Sequence, residues 1–310
     1  MKLKLRKFRG EDDFWRIREF LNRLLRHGKF QEMTWHVSRW DYAWARRNDF
    51  LPGVSMEDAV FIWETEDGEI VAVLNPEHKG ILFEHVDPRY RTSNLEQMMV
   101  NAAEENLAVE KEDGKQKVYI HANSRDILRR SILGEKGYVP FDHPKVREHL
   151  RRRTFSEPIP KVEIHSDYTV RALQEDELKA RGLAAWKITQ DGDPPDEYWS
   201  WKWLLSVCQA PLYRRDLDIV AVIPSGEVVA FCTMWYDNDT RSGCFEPVGT
   251  VPDHRQRGLA RAVLCEGLSR IKALGADIAY VSSFSEPAHR LYQSIGFTDT
   301  VVIEPWVKEW

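Results

Sequence analysis

The sequence predicts a mixed α/β protein built from two tandem copies of one unit of about 140–150 residues, and three observations predict it. Motifs recur in the same order at a nearly constant distance. Glu66-Asp-Gly68-Glu-Ile, followed by Val-Ala-Val, returns as Pro224-Ser-Gly226-Glu-Val, followed by Val-Ala-Phe, with the two glycines 158 residues apart. Glu135-Lys-Gly-Tyr138 returns as Ser294-Ile-Gly-Phe297 at a distance of 159, and Val86-Asp-Pro88 as Thr250-Val-Pro252 at 164. The length of 310 residues suits two domains at roughly 150 residues each. Finally, each copy opens on strands and then alternates strand with helix, the pattern of a sheet covered by helices.

Each copy reads in the same order: a short strand, helical stretches, a hairpin, a strand, a helix, a strand, a helix and a Gly-aromatic finish. Gly68 turns a hairpin between Val60–Thr65 and Glu69–Leu74, and Gly226 one between Asp218–Ile223 and Val228–Tyr236. Leu259–Leu274 is the clearest helix, with apolar Ala260, Val263, Leu264, Leu268, Ile271 and Leu274 at helical spacing and Gly275 as its stop. Ile278–Ser282 is a short buried strand, and Pro287 opens a last helix over Ala288–Ser294. Residues 151–166 hold two prolines and neither periodicity, which makes them a linker between domains at 1–150 and 167–310.

Composition removes several classes of function. Hydrophobic residues make up 43% and charged residues 30%, as in ordinary globular proteins. The net charge of −5 argues against nucleic acid or an anionic membrane as partner. The longest largely apolar run, Val228 to Tyr236, is too short to span a bilayer. The basic N-terminus meets Glu11, Asp12 and Asp13 before any apolar stretch, so no signal peptide is expected. Cys208, Cys232, Cys244 and Cys265 form no C-x-x-C pair and read as reduced thiols of a cytoplasmic protein, with neither a disulfide scaffold nor a metal site.

The stretch that carries chemistry is Pro252-Asp-His-Arg255-Gln-Arg257-Gly258-Leu-Ala260, between a strand and the helix at 259. A helix start offers four unpaired N–H groups and about half a positive charge, a ready phosphate site. Gly258 and the small Ala260 keep side chains out of the way, while Arg255 and Arg257 add charge. The spacing is neither the dinucleotide G-x-G-x-x-G nor a nucleotide-triphosphate loop with its Lys-Ser/Thr ending, so a pyrophosphate without bound magnesium fits better. Taken alone, a tight turn into a helix would account for it.

A second motif follows one strand later: Ser285-Glu-Pro-Ala288-His-Arg-Leu291-Tyr292-Gln-Ser-Ile-Gly296-Phe297. Together the two make the sequence similar to the GNAT superfamily of acyl-CoA-dependent N-acyltransferases, whose loop is Gln/Arg-x-x-Gly-x-Gly/Ala and whose second signature is roughly Asn-x-x-Ala-x-x-Leu-Tyr-x-x-x-Gly-Phe. The resemblance covers about residues 167–300 and, through the repeat, extends more faintly over 1–150; the architecture resembles tandem members of that superfamily. It implies two GNAT-like domains, each a mixed, mostly antiparallel sheet flanked by helices, with acetyl-CoA as co-substrate. It implies that Val248, Gly249, Thr250 and Val251 meet the thioester and pantetheine arm, and that Arg255, Gln256, Arg257, Gly258, Leu259, Ala260 and Arg261 wrap the pyrophosphate. Ser285 stands where the family has Asn. Tyr292 stands beside the expected position of the CoA sulfur, where a phenol can protonate the departing thiolate; the alternative is a packing role.

An alkylamine is charged at pH 7, so its attack needs a group that removes a proton. Glu246, on the strand of the thioester, is the candidate, with a plain surface carboxylate as the alternative. The acceptor is expected beside Asp193 and Trp199, in a segment where carboxylates neighbour aromatic rings; the other reading makes Trp199 core. In the first copy, aligned on Pro88, the loop puts Asn94 and Glu96 at the two small positions, Leu133 at the Tyr position and Arg129 at the Ala position. An anion close to the pyrophosphate costs on the order of 1–4 kcal/mol, so this copy is expected to be degenerate and without acetyl-CoA. The reading is an N-acetyltransferase of a small-molecule amine, with no nucleic acid or membrane partner, as monomer or homodimer. A protein or peptide N-acetyltransferase and a non-catalytic CoA-binding scaffold are the alternatives.

Overall fold

Residues 3–27, 34–143, 146–189 and 197–310 are described by a computed structural model. The chain runs β1 (Lys4–Lys7), α1 (Glu11–His27), α2 (Val37–Ala45), the single turns α3 (Arg47–Phe50) and α4 (Met56–Ala59), then β2 (Phe61–Glu64), β3 (Ile70–His78) and β4 (Ile81–Val86). It goes on through α5 (Ser93–Asn106), β5 (Val109–Glu110), β6 (Gln116–Asn123), α6 (Ile127–Glu135), β7 (Val139–Pro140) and β8 (Glu148–Thr154). The second half holds β9 (Thr169–Ala172), α7 (Leu178–Thr189), α8 (Glu197–Val207), β10 (Asp218–Val222), β11 (Val228–Asp237) and β12 (Ser242–Thr250). It ends with α9 (Leu259–Ala273), β13 (Ile278–Ser283), α10 (Glu286–Ser294) and β14 (Asp299–Glu309).

Two units result. In the first the strands follow the order β1-β2-β3-β4-β6-β14, with β5 on β6 and β7 on β14; β4 and β6 are parallel and the other pairs antiparallel. In the second the order is β8-β13-β12-β11-β10-β9, with β12 and β13 parallel and β12, β11, β10 and β9 antiparallel in turn. The hairpins carry the same turn in both: Gly68 (φ +86°) donates to the Thr65 carbonyl and Gly226 (φ +87°) to that of Ile223, a left-handed backbone that favours glycine.

The division of the chain differs from the expected one at both ends of the second domain. The units exchange strands: residues 301–310 belong to the first, and the second takes Leu150–Thr300 together with Trp44–Arg46. The expected linker at 151–166 therefore begins with a strand. Of its Arg151-Arg152-Arg153, Arg151 (8% exposed) and Arg153 (3%) are buried. Hydrophobic periodicity reports which face a strand buries and cannot report which sheet it joins.

Helices cover both faces of the second sheet. On one, Ala184 and Ala185 of α7 pack with Val220, Phe231 and Val251, and Trp203 of α8 joins them. On the other, Leu259, Val263, Leu264, Leu268 and Ile271 of α9 and Tyr292 of α10 pack with Cys232, Met234 and Phe245. In the first unit Trp40 stacks on Phe14 (centroids 6.1 Å) and donates to its carbonyl, and Trp35 lies 5.0 Å from Phe83, so both are core residues.

Candidate active site

The site grows from a break in the second sheet. Strand β12 pairs with β11 as Val248↔Cys232 and Phe245↔Met234, leaving Glu246-Pro247 opposite one residue, a bulge. Proline has no N–H to lend to a ladder and is at home there. The Glu246 carbonyl accepts from Trp235 Nε1 at 2.5 Å. On its other side β12 pairs with β13 only from Ser242↔Ile278 to Phe245↔Val281, although the strands continue to Thr250 and Ser283. The two strands part. The half-buried stretch from Glu246 to Thr250, which includes Val248 and Gly249, thus keeps β11 on one edge and, among the described residues, has no ladder partner on the other.

Past the buried Val251 and a single turn at Pro252–His254, the chain reaches α9. Gln256 (φ +62°) and Gly258 (φ +78°) take the left-handed conformation, and Gly258 is the N-cap with no side chain to satisfy the helix amides. The first intrahelical bond runs from Ala262 N–H to the Gly258 carbonyl, so Leu259, Ala260 and Arg261 fall within the turn whose amides a helix leaves free. A Cβ on Gly258 would meet nothing within 4 Å, which places the glycine on open surface. Arg255 donates to the Thr250 carbonyl at 3.2 Å, and the guanidinium of Arg257 braces the loop from within, to Tyr168 Oη at 2.6 Å and the Asp253 carbonyl at 3.1 Å. Tyr168 Oη also lies 3.1 Å from His254 Nδ1. Tyr168, some 90 residues before the loop in sequence, is the brace that no local pattern announces.

Tyr292 is 6% exposed on α10. Burial, chiefly, and then the negative charge of neighbours that include Glu246 push its phenol well above the ordinary tyrosine value. It holds its proton at neutral pH, and the Glu246 carboxylate is near enough for its charge to act on it. Ser285 is the exposed N-cap of α10 and its hydroxyl makes no cap bond. Asp193 lies outside the described residues, as does the side chain of Trp199.

The first unit repeats the frame and fills it. Strands β4 and β6 part after Leu82↔Ile120. Into the gap reaches Arg129, whose Nη1 donates to the Glu84 backbone carbonyl at 3.0 Å while Nε pairs with Glu96 at 2.9 Å and Glu84 at 3.0 Å. Helix α5 begins after N-cap Thr92, whose hydroxyl accepts from Leu95 N–H at 3.2 Å. Matching the caps sets Thr92, not Asn94, against Gly258, with a connection from Pro88 two residues shorter than that from Pro252. Glu96 is therefore not an exposed anion at a phosphate position: it is fully buried and held by Arg91 and Arg129. Leu133 does match Tyr292, because Tyr138 N–H bonds its carbonyl as Phe297 N–H bonds that of Tyr292.

Parted parallel strands beside a glycine-capped helix define a class by fold alone, a mixed α/β sheet flanked by helices. Residues 172–297 match the family described as Acetyltransferase (GNAT) family. The chain is 39% identical over 67 residues to mycothiol acetyltransferase of Corynebacterium aurimucosum, a stretch that makes up 21% of this chain and 22% of that relative. Among solved structures it is similar to a GCN5-related N-acetyltransferase from Sphaerobacter thermophilus, with a TM-score of 0.67 at 20% identity over 99% of this chain and 95% of that one. A tandem GNAT protein from the clavulanic acid biosynthesis pathway gives 0.65 at 10% identity over 99% and 98%. At these identities the two structures speak for the fold alone.

Proposed function

We propose that the second unit transfers an acetyl group from acetyl-CoA to the primary amine of a small molecule by direct attack in a ternary complex. The observation that carries this reading is the parting of β12 and β13 beside the uncapped start of α9. A pantetheine arm can add along the open edge at Val248–Val251, as an extended chain adds to a strand, and the pyrophosphate can take the amides of residues 258–261. The amine nitrogen attacks the thioester carbonyl carbon, the C–S bond breaks, and the sulfur leaves with the electron pair. Tyr292, protonated at neutral pH, gives that sulfur its proton, and Glu246 takes the proton that the amine loses. The first unit is degenerate and without acetyl-CoA, since its own Arg129 occupies the corresponding gap.

Asp193 and Trp199 are proposed for the acceptor. Four free thiols support a reducing compartment, the cytoplasm. The net charge supports a partner list without nucleic acid or membrane, and the chain is proposed as monomer or homodimer. Thiol release from acetyl-CoA across amines, amino acids, aminoglycosides and peptides tests the reading: turnover with a small amine is the expected result. Turnover with peptides alone would make it a peptide N-acetyltransferase, and binding without turnover a scaffold.

A further inference from the structure

Among the described residues the second unit buries three arginines; Arg181 pairs with Asp218, and the proposed chemistry has no use for the other two. Arg151 and Arg153 lie on β8, outside the residues that match the family, and among the described residues no carboxylate lies within ion-pair distance of either, Glu286 and Glu157 acting on them only from farther off. A buried cation without an anion is costly and needs a reason. Arg153 Nη2 donates to the Glu157 and Pro158 carbonyls at 2.9 Å and Arg151 Nη1 to Thr300 Oγ1 at 3.1 Å; their other partners lie around α10. Arg153 Nη1 donates to the Ile295 carbonyl, and Arg151 Nη1 lies 3.4 Å from that of Phe297. Arg151 Nε donates to Ser283 Oγ at 3.1 Å, and that hydroxyl is 2.7 Å from His289 Nδ1. Helix α10 is thus gripped at His289 and at Ile295–Phe297, one turn to either side of Tyr292.

We propose that β8 is a clamp on α10 and that Arg151 and Arg153 are positioning residues for Tyr292; this deepens, and rests on, the role given to that tyrosine above. A helix C-terminus leaves carbonyls unpaired and carries partial negative charge, which a guanidinium satisfies. The turn after α10 bonds the Tyr292 and Gln293 carbonyls internally, and β8 takes Ile295 and Phe297. Gly296 (φ +95°) leaves the room, because a side chain there would collide with Arg153. The strand that plays this part in the first unit, β14, carries no arginine and sets Trp306 in the core with Tyr138 and Leu133. The arginines of β8 go with the helix that bears the tyrosine, whereas the first unit's buried Arg129 sits on α6 itself, and a shift of about 1 Å in a reacting group can cost on the order of 100-fold in rate.

The test uses the full chain, with thiol release from acetyl-CoA to the best amine of the panel, or to water. Arg153→Met and Arg151→Gln should lower kcat about ten-fold or more with the acetyl-CoA KM nearly unchanged, and Arg153→Lys should recover part of the loss. If Arg153 acts through Tyr292, the double variant Arg153→Met/Tyr292→Phe is no slower than Tyr292→Phe alone. Hydrogen exchange at residues 289–297, read on the milder Arg153→Lys should the methionine variant not fold, should quicken while α9 keeps its protection. Losses that multiply with Tyr292→Phe, or arginine variants that melt earlier at full kcat, overturn the clamp and leave the tyrosine its role. Full turnover in Tyr292→Phe overturns both.

Discussion

Tyr292 and His85 show how burial sets what a single side chain can do. A phenol pushed upward by burial is a proton donor at neutral pH, so Tyr292→Phe should lower kcat by about 100-fold or more and leave acetyl-CoA binding close to unchanged, since the proton moves only in the transition state. Steady-state rates with calorimetry check this, and an unchanged kcat makes Tyr292 a packing residue. His85 is fully buried beside Trp35 (ring centroids 5.4 Å), and among the described residues neither ring nitrogen has a hydrogen-bond partner. Burial, helped by Arg129 and Arg39, holds its imidazole down at about 3. The unfolded chain, with an ordinary histidine, takes up a proton below about pH 6.5 that the folded one refuses down to about 3. Stability is therefore lost as pH falls through that window, at on the order of 1 kcal/mol per pH unit. Urea unfolding at pH 7 and 5 should show a smaller loss for His85→Leu than for the parent protein, and parallel losses would refute it.

At the level of elements, the proposed difference in cofactor binding between the units rests on the starts of α5 and α9. Helix α9 begins at a glycine and offers its amides outward; α5 begins at Thr92, whose hydroxyl already satisfies one, and the gap beside β4 holds Arg129. Calorimetry with acetyl-CoA is expected to give one site per chain, and Gly258→Glu should abolish it through like-charge repulsion and a side chain forced to positive φ. Two comparable sites, or binding that survives the substitution, would overturn this. The glycine loop and the helix behind it were legible in sequence because cap chemistry and 3.6-residue spacing are local. The plug was not, because Arg129 meets Glu84 and Glu96 from 45 and 33 residues away.

For the molecule as a whole, the strand exchange matters most. A cut at 166/167 removes β8 from the second unit and strands β14, whose Val301, Ile303 and Trp306 are buried in the first. Residues 167–310 expressed alone should therefore be insoluble or lack a cooperative transition, with an unpaired edge and an apolar strand left bare. Adding residues 1–166 should restore solubility, as sedimentation and circular dichroism would report. A soluble, cooperatively melting 167–310 fragment that binds acetyl-CoA unaided would show that the exchange is dispensable.

Whatever depends on neighbours along the chain could be read without the fold: two tight hairpins at Gly68 and Gly226, the periodic helix after Gly258, the Tyr292 motif and the order of elements that repeats them. Only the tertiary structure decided that β8 and β14 serve the opposite units, that Arg151 and Arg153 leave a basic run to grip α10, that Tyr168 braces the loop and that Arg129 closes the first gap. The reason is physical. Propensity, capping and turn chemistry act over a few residues, whereas strand pairing and buried ion contacts are chosen by free energies summed over the folded chain, to which spacing in sequence gives no key.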